Sequence, residues 1–257
     1  MRSRTPVGLA AVAALVSAFL HLPILILVVF SFNASKFSAE WRGFTLEWYH
    51  RLLERTDVIH GLEISLIVAA ISTVVSAVLG TLLALALAGH RFRGRRAVEA
   101  FLYVPIVTPE IVVGISSLLL FALLGLPLGV ATIVLAHVAF SLSFVVIVVR
   151  ARLEGMDASL EEAALILGAD EITTFRRVTL PQLWPGVLAG ALLAFILSFD
   201  DFLITSFVAG SGSSTLPLVV YGMARRNVEP SINAISTIIL VVTTAVLYLA
   251  ERVTRER

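Results

Sequence analysis

Two adjacent carboxylates, Asp200 and Asp201, interrupt an apolar run at residues 192–205. An ionisable group at the centre of a membrane helix costs roughly 2.5 to 3.5 kcal/mol on insertion scales, so such groups face a cavity or a partner and mark a pathway. Ser198 adds a hydroxyl two residues earlier, and Glu110, after Pro105 and Pro109, sets a third acid within another apolar block. Prolines there free backbone carbonyls. Carbonyls and carboxylates at similar depth suit a cationic solute. A second reading stays open on the residues alone: one or both aspartates bond neighbouring helices, pair with an arginine of another subunit, or are protonated. If both lie on one helix they are about 100° apart and cannot both point along one pore axis.

The elements that must carry these groups follow from composition. The 257 residues are 58% hydrophobic and 14% charged, with a mean hydropathy of +0.98. That excludes a soluble domain and places the chain in a bilayer. Apolar blocks at 7–32, 59–89, 100–124, 130–150, 184–209 and 232–250 are each long enough for a membrane helix, which needs about 20 residues. The runs are apolar all round, unlike the short alternating strands of a barrel. The basic start at Arg2 and Arg4 also fits an uncleaved signal, but the length of the first block favours a retained anchor. With no low-complexity linker and no internal repeat, a single domain over 1–257 is expected.

Absent residues narrow the chemistry. There is no cysteine, hence no disulfide, thiolate metal site or cysteine nucleophile. A phosphate-binding loop needs a lysine after a glycine-rich turn. The one lysine, Lys36, has no such turn before it. The five histidines, His21, His50, His60, His90 and His137, are scattered and read as polar helix or loop residues. No catalytic residue, metal site or cofactor is expected on this chain.

Basic residues near helix ends set orientation. With a cytoplasmic N-terminus, thirteen of the nineteen basic residues fall on the inner side, so both termini are expected in the cytoplasm. The outer segment 33–58 then holds an amphipathic stretch from Leu46 to Leu53, which suits an interfacial helix with Trp48 and Tyr49 at headgroup depth. A tight outer turn falls at residues 125–129.

The inner segment 151–182 is the longest between spans four and five. Ser159 followed by Glu162 fits a capping box. Gly168 suits a left-handed helix end, and Asp170 can cap a second short helix to about Arg177. Ala163 and Ala164 leave a low-relief surface, while Leu160, Leu167, Ile172 and Phe175 offer apolar anchors. A partner protein could bury them, or they could pack under their own membrane domain.

Glu162-Ala163-Ala164, then Gly168, Phe175 and Leu180-Pro181, resembles the EAA loop of ABC importer permeases. The resemblance implies a coupling helix docked on an ATPase, with Glu162, Ala163, Ala164 and Gly168 at the contact and Glu171 just beyond. Ser198-Phe199-Asp200-Asp201, Ser206-Phe207, Gly210, Thr215-Leu216-Pro217, Tyr221, Pro230 and Asn233-Ala234 resemble the C-terminal half of spermidine/putrescine permeases of the PotC type. Pro109-Glu110-Ile111 is similar to that family's third span, although many members carry aspartate at the position of Glu110.

The family implies an all-α, six-helix, MetI-like type I importer domain in a bacterial inner membrane. It implies a second related permease, an ATPase pair that carries ATP and magnesium, and an extracytoplasmic polyamine-binding protein. Trp48 resembles an outer aromatic of these permeases and joins Asp200, Asp201, Glu110 and Ser198 as a pathway candidate. The rival readings are an importer of another small solute and an ion-coupled carrier with Glu110 and the aspartates as a relay.

Overall fold

The computed structural model describes residues 7–36, 40–89, 92–226 and 230–255. The orientation argument's Arg2, Arg4, Arg91 and Arg257 lie outside them, as does His90. In chain order the helices are α1 (Val7–Phe30), α2 (Glu47–Glu54), α3 (Thr56–Gly89), α4 (Arg95–Val107), α5 (Glu110–Leu123) and α6 (Val130–Glu154). They continue with α7 (Ser159–Ile166), α8 (Glu171–Thr174), α9 (Leu180–Phe199), α10 (Leu203–Val208), α11 (Leu216–Arg226) and α12 (Pro230–Arg255). A wide π turn, Phe175–Thr179, fuses α8 to α9.

Four helices are long and apolar enough to cross a membrane, or five when α4 and α5 count as one bent span, among the described residues. The expected third span, 100–124, is therefore not one straight helix. It bends by 113° between α4 and α5. Pro109 has no N–H to continue the ladder and disfavours the helical conformation for the residue before it. Thr108 accordingly sits extended, at φ −76° and ψ 131°. The sixth block forms a helix, although its apolar part, Pro230–Ala245, is shorter than the others.

The chain divides into two compact units, residues 1–59 with 220–257 and residues 60–219. In the first, α12 packs on both α1 and α2. Asn33 organises its loop: Nδ2 donates to the Glu40 carbonyl at 2.8 Å, and Oδ1 accepts from the Arg42 N–H at 2.9 Å. Phe32 stacks on Phe44 and Tyr49.

The second unit has two buried apolar clusters. One joins Ile64 and Val68 of α3 to Phe121, Ile133, Phe140, Ile204 and Val208. The other joins Ala84 and Leu87 to Leu102, Val145, Val149, Leu183 and Ala194. Both clusters are built around α6, which contributes to each. Thr132, at the start of α6, donates to the Val208 carbonyl at 2.9 Å and so ties down the end of α10.

Candidate functional site

The site begins with the face that α9 turns to α6. Gly186, Gly190, Ala194 and Ser198 recur every fourth residue and are all buried. Small residues at that spacing let two helix backbones approach closely. A Cβ on Gly186 would stand 2.5 Å from Arg152 Cβ, and one on Gly190 3.2 Å from Val145 Cγ1. These contacts run in antiparallel register, and two turns beyond Gly190 that register sets Ser198 against His137.

His137 corrects the sequence reading, which left it among scattered polar residues. It is 1% exposed and stands at the centre of a buried network. Its Nδ1 lies 2.7 Å from Ser198 Oγ. Its Nε2 lies 3.1 Å from Asp201 Oδ2 and 3.0 Å from Thr205 Oγ1. A carboxylate only accepts, so the network assigns the proton to Nε2, and Nδ1 then receives the Ser198 hydroxyl.

The expected span 184–209 also needs correction, because the helix stops at Phe199 and restarts at Leu203. The cause is Asp201. Its carboxylate accepts the N–H groups of Ile204 at 3.2 Å and Thr205 at 2.7 Å, and the Thr205 hydroxyl at 2.7 Å. A short acidic side chain thus gives the backbone an alternative to the helical ladder. The two aspartates do not share a continuous helix. Asp201 turns inward, with its side chain 6% exposed, whereas Asp200 ends α9 and stays exposed.

Glu110 opens α5, directly after the bend. It interacts electrostatically with Asp201 and Asp200. The packing that brings it there is tight: a Cβ on Gly114 would come within 2.7 Å of Phe207 and 3.2 Å of Ile204 Cα. Glu110 lies one turn before Gly114 on the same face of α5. The structure therefore gathers Glu110, Asp200, Asp201 and Ser198 where two apolar blocks are both broken.

Trp48 belongs to the first unit. The indole is 3% exposed, and its N–H donates to the Asn33 carbonyl at 2.7 Å. Arg51 lies over the ring, 5.1 Å from its centroid. A headgroup-facing indole was expected; a buried one is found. A cleft of about 320 Å³ lined by Trp48, Arg51, Glu54, Arg55 and Ser231 adjoins it.

At the other end of α9 the loop 151–182 forms the expected helix pair, with a different start. Ser159 is not the cap of α7. Asp157 accepts the Ser159 N–H at 3.0 Å, and its carboxyl is held below the usual range by Ser159. Gly168, at φ +88°, closes α7. The Ala169 N–H reaches the Ala164 carbonyl at 3.1 Å and the Gly168 N–H reaches the Leu165 carbonyl at 3.0 Å, the paired bonds of a left-handed helix end.

Asp170 caps α8 through the Thr173 N–H at 3.0 Å. The second short helix does not stop near Arg177, since the π turn carries it into α9. There the Leu180 N–H reaches the Phe175 carbonyl. The wide turn makes room beside Pro181, which has no N–H for the ladder. Thr179 Oγ1 donates to Glu161 Oε1 at 2.5 Å and ties α7 to the base of α9. Glu162, Ala163 and Glu171 are exposed and Ala164 is half-buried. Ile166 and Leu167 are each 86% exposed.

Residues 76–255 match the family model for the binding-protein-dependent transport system inner membrane component. The spermidine/putrescine transport system permease protein PotC of Escherichia coli K12 is 41% identical over 240 residues, which are 93% of this chain and 91% of that protein. The putrescine transport system permease protein PotI of the same strain is 42% identical over 229 residues, 86% of this chain and 82% of that one. Among solved structures, a bacterial ABC transporter involved in the import of the acidic polysaccharide alginate matches with a TM-score of 0.76 at 19% identity, covering 96% of this chain and 95% of that one. The MetNI methionine ABC transporter matches with a TM-score of 0.64 at 17% identity, covering 82% and 98%. These likenesses give the all-helical, MetI-like fold. A gradient-coupled carrier is set aside by the family match. On the family match and on these identities, the chain belongs to the binding-protein-dependent transport inner membrane component family, among its PotC-type permeases.

Proposed function

We propose that this chain forms half of the pathway of an ATP-driven, binding-protein-dependent importer of polyamines. It works as one permease domain over residues 1–257 in a bacterial cytoplasmic membrane, with both termini inside. The observation that carries this reading is the division of labour at the break: Asp201 is tied into the protein, while Asp200 and Glu110 remain exposed beside it. Two open carboxylates on broken helices suit an elongated solute with more than one ammonium group. Ser198 contributes by holding the His137 ring. The names of the relatives support the same class of solute.

The partners follow from the inner loop. An ATPase pair carrying ATP and magnesium grips α7, with Glu162, Ala163, Ala164 and Gly168 at the contact and Glu171 at its margin. A second related permease completes the pathway, and an extracytoplasmic binding protein delivers the solute. Trp48 offers the solute its part of the cleft shared with Arg51, Glu54, Arg55 and Ser231. Support for the ATPase contact comes from Ile166 and Leu167, large apolar side chains left uncovered among the described residues at the end of α7. ATP-driven closure of the partner displaces α7. The Glu161–Thr179 bond and the π turn transmit that motion to α9, about 30 Å long, whose far end carries Asp200.

The test is uptake by the intact assembly in vesicles, with its binding protein. Asp200→Asn and Glu110→Gln are each expected to lower spermidine uptake about tenfold, which corresponds to about 1.4 kcal/mol, with assembly retained. Undiminished uptake by the double variant removes the charge argument. Stimulation of the ATPase by an uncharged or anionic solute, and by no polyamine, moves the pathway to another substrate.

A further inference from the structure

A histidine 1% exposed in the middle of an apolar helix is expensive to bury unless its ring is fully bonded. His137 meets that condition through three groups on a neighbouring segment: Ser198 in the last turn of α9, Asp201 in the break, and Thr205 in α10. The ring therefore spans the interruption from one half-helix to the other. Asp201 serves two masters there, because the carboxylate that accepts from His137 also accepts from the backbone at the start of α10.

We infer that His137 is a positioning residue for the solute pathway: by holding Asp201 and Ser198 it fixes the α9–α10 break and so sets where the Asp200 carboxylate stands. Asp200 has no such anchor on the α6 side. Its own N–H is still bonded to the Ile196 carbonyl at 3.1 Å, so its backbone belongs to α9. Its side chain then takes its direction from the angle at which the chain leaves that helix. Without the imidazole, Asp201 loses its bond to α6, and the break is no longer pinned to that helix through its carboxylate.

The constellation of serine, histidine and aspartate is not a nucleophilic device. Ser198 is 4% exposed inside a helix, so no carbonyl can approach its hydroxyl. The ring nitrogens are also used in the opposite sense to a hydrolytic triad, with serine on Nδ1 and aspartate on Nε2.

The clamp itself stands on the geometry, and only the effect on transport rests on the polyamine reading, so two measurements separate them. Amide hydrogen exchange on the intact assembly reads the clamp without any solute. His137→Leu is expected to speed exchange at Ile204 and Thr205 about tenfold while the rest of α6 and α9 is unchanged, and His137→Gln, which keeps a donor for Asp201, to restore most of the protection. Unchanged exchange in His137→Leu, or equal loss in the leucine and glutamine variants, overturns the clamp. If His137→Leu does not assemble, His137→Gln and wild type decide the matter: native-like protection with a partial fall in uptake supports it, and loss of the Thr205 protection overturns it.

Spermidine uptake and ATP hydrolysis, measured together, read the effect on the pathway. His137→Leu should lose about tenfold in spermidine carried per ATP while ATPase stimulation by the loaded binding protein is kept, a split that general destabilisation does not produce. Normal uptake per ATP in a variant with fast exchange overturns the positioning of Asp200. Absence of spermidine uptake by wild type refutes the polyamine reading instead, and the exchange result alone then judges the clamp.

Discussion

The two ends of α9 differ in how completely the chain satisfies itself. At the break, His137, Ser198, Asp201 and Thr205 form a closed set, with every strong donor and acceptor matched inside the protein. At the loop, well-formed helices present Leu165, Ile166, Leu167 and Ile172 outward, uncovered among the described residues. The contrast teaches which end is finished. A buried polar network is worth forming only when complete, because each unmatched group is costly in a low dielectric. An exposed apolar surface on a rigid scaffold is complete only with a partner. The end at the break is thus closed on itself, and the loop end is left open.

The strongest way to break that comparison is to open the closed set. Asp201→Ala removes the anion from His137 and the cap from α10 together. Leaving a buried donor without its acceptor typically costs about 1 to 3 kcal/mol, and Asp201 accepts from the ring, from two backbone N–H groups and from the Thr205 hydroxyl, so loss of thermal stability and of assembly yield is expected. A variant as stable as wild type would show that the network is not a structural clamp.

Next comes the seam that aligns it. Gly190→Leu forces a side chain into the space before Val145, where a bare Cβ already stands 3.2 Å away. Overpacking of this kind costs about 1 to 3 kcal/mol, and α6 should shift enough to weaken the His137–Ser198 bond. The melting temperature of the purified assembly checks it, with an unchanged value counting against the close approach.

In the loop, Gly168→Val places a β-branched residue at φ +88°. The local penalty is roughly 1 to 2 kcal/mol, small against the stability of the bundle. Its effect should therefore fall on ATPase co-purification and on transport, with the membrane unit intact. Full co-purification with full transport would show that the loop tolerates a different end.

The smallest effect is on Asp170. The Thr173 hydroxyl and N–H hold its carboxyl below the usual carboxylate range. A lowered value in the folded state means that the cap adds stability above the unfolded value of about 3.9 and loses it as pH falls through the folded value. Protection of the Thr173 amide is expected to be flat above about pH 5, where the carboxylate is ionised in both states, and to decline below about pH 4. Asp170→Asn should flatten that dependence, and a wild-type profile without the decline would deny the cap its charge.

Much of this was legible in the residues because it is local. The left-handed glycine at Gly168 and the cap at Asp170 each depend on a few neighbours in sequence, and the structure returns them, while of the six apolar blocks it returns four spanning helices, or five with the bent pair counted as one, among the described residues. The bend at Thr108–Pro109 was readable too, from the restriction proline places on its predecessor, but hydrophobicity alone ran straight through it. The break after Phe199 carried a fainter signal: an aspartate three and four residues before the N–H groups it caps, inside a run otherwise apolar.

Amino-acid order by itself determined that the chain is a membrane helix bundle, that three acids must be accommodated within it, and that its one lysine follows no glycine-rich turn. Only the tertiary structure decided which aspartate is tied down and which stays open. It also singled out His137 from five histidines, because its partners lie 61 to 68 residues away and meet it only once α6 and α9 pack. Such a choice cannot be made locally: the small-residue seam sets the register of one helix on the other, and the register chooses the pairs.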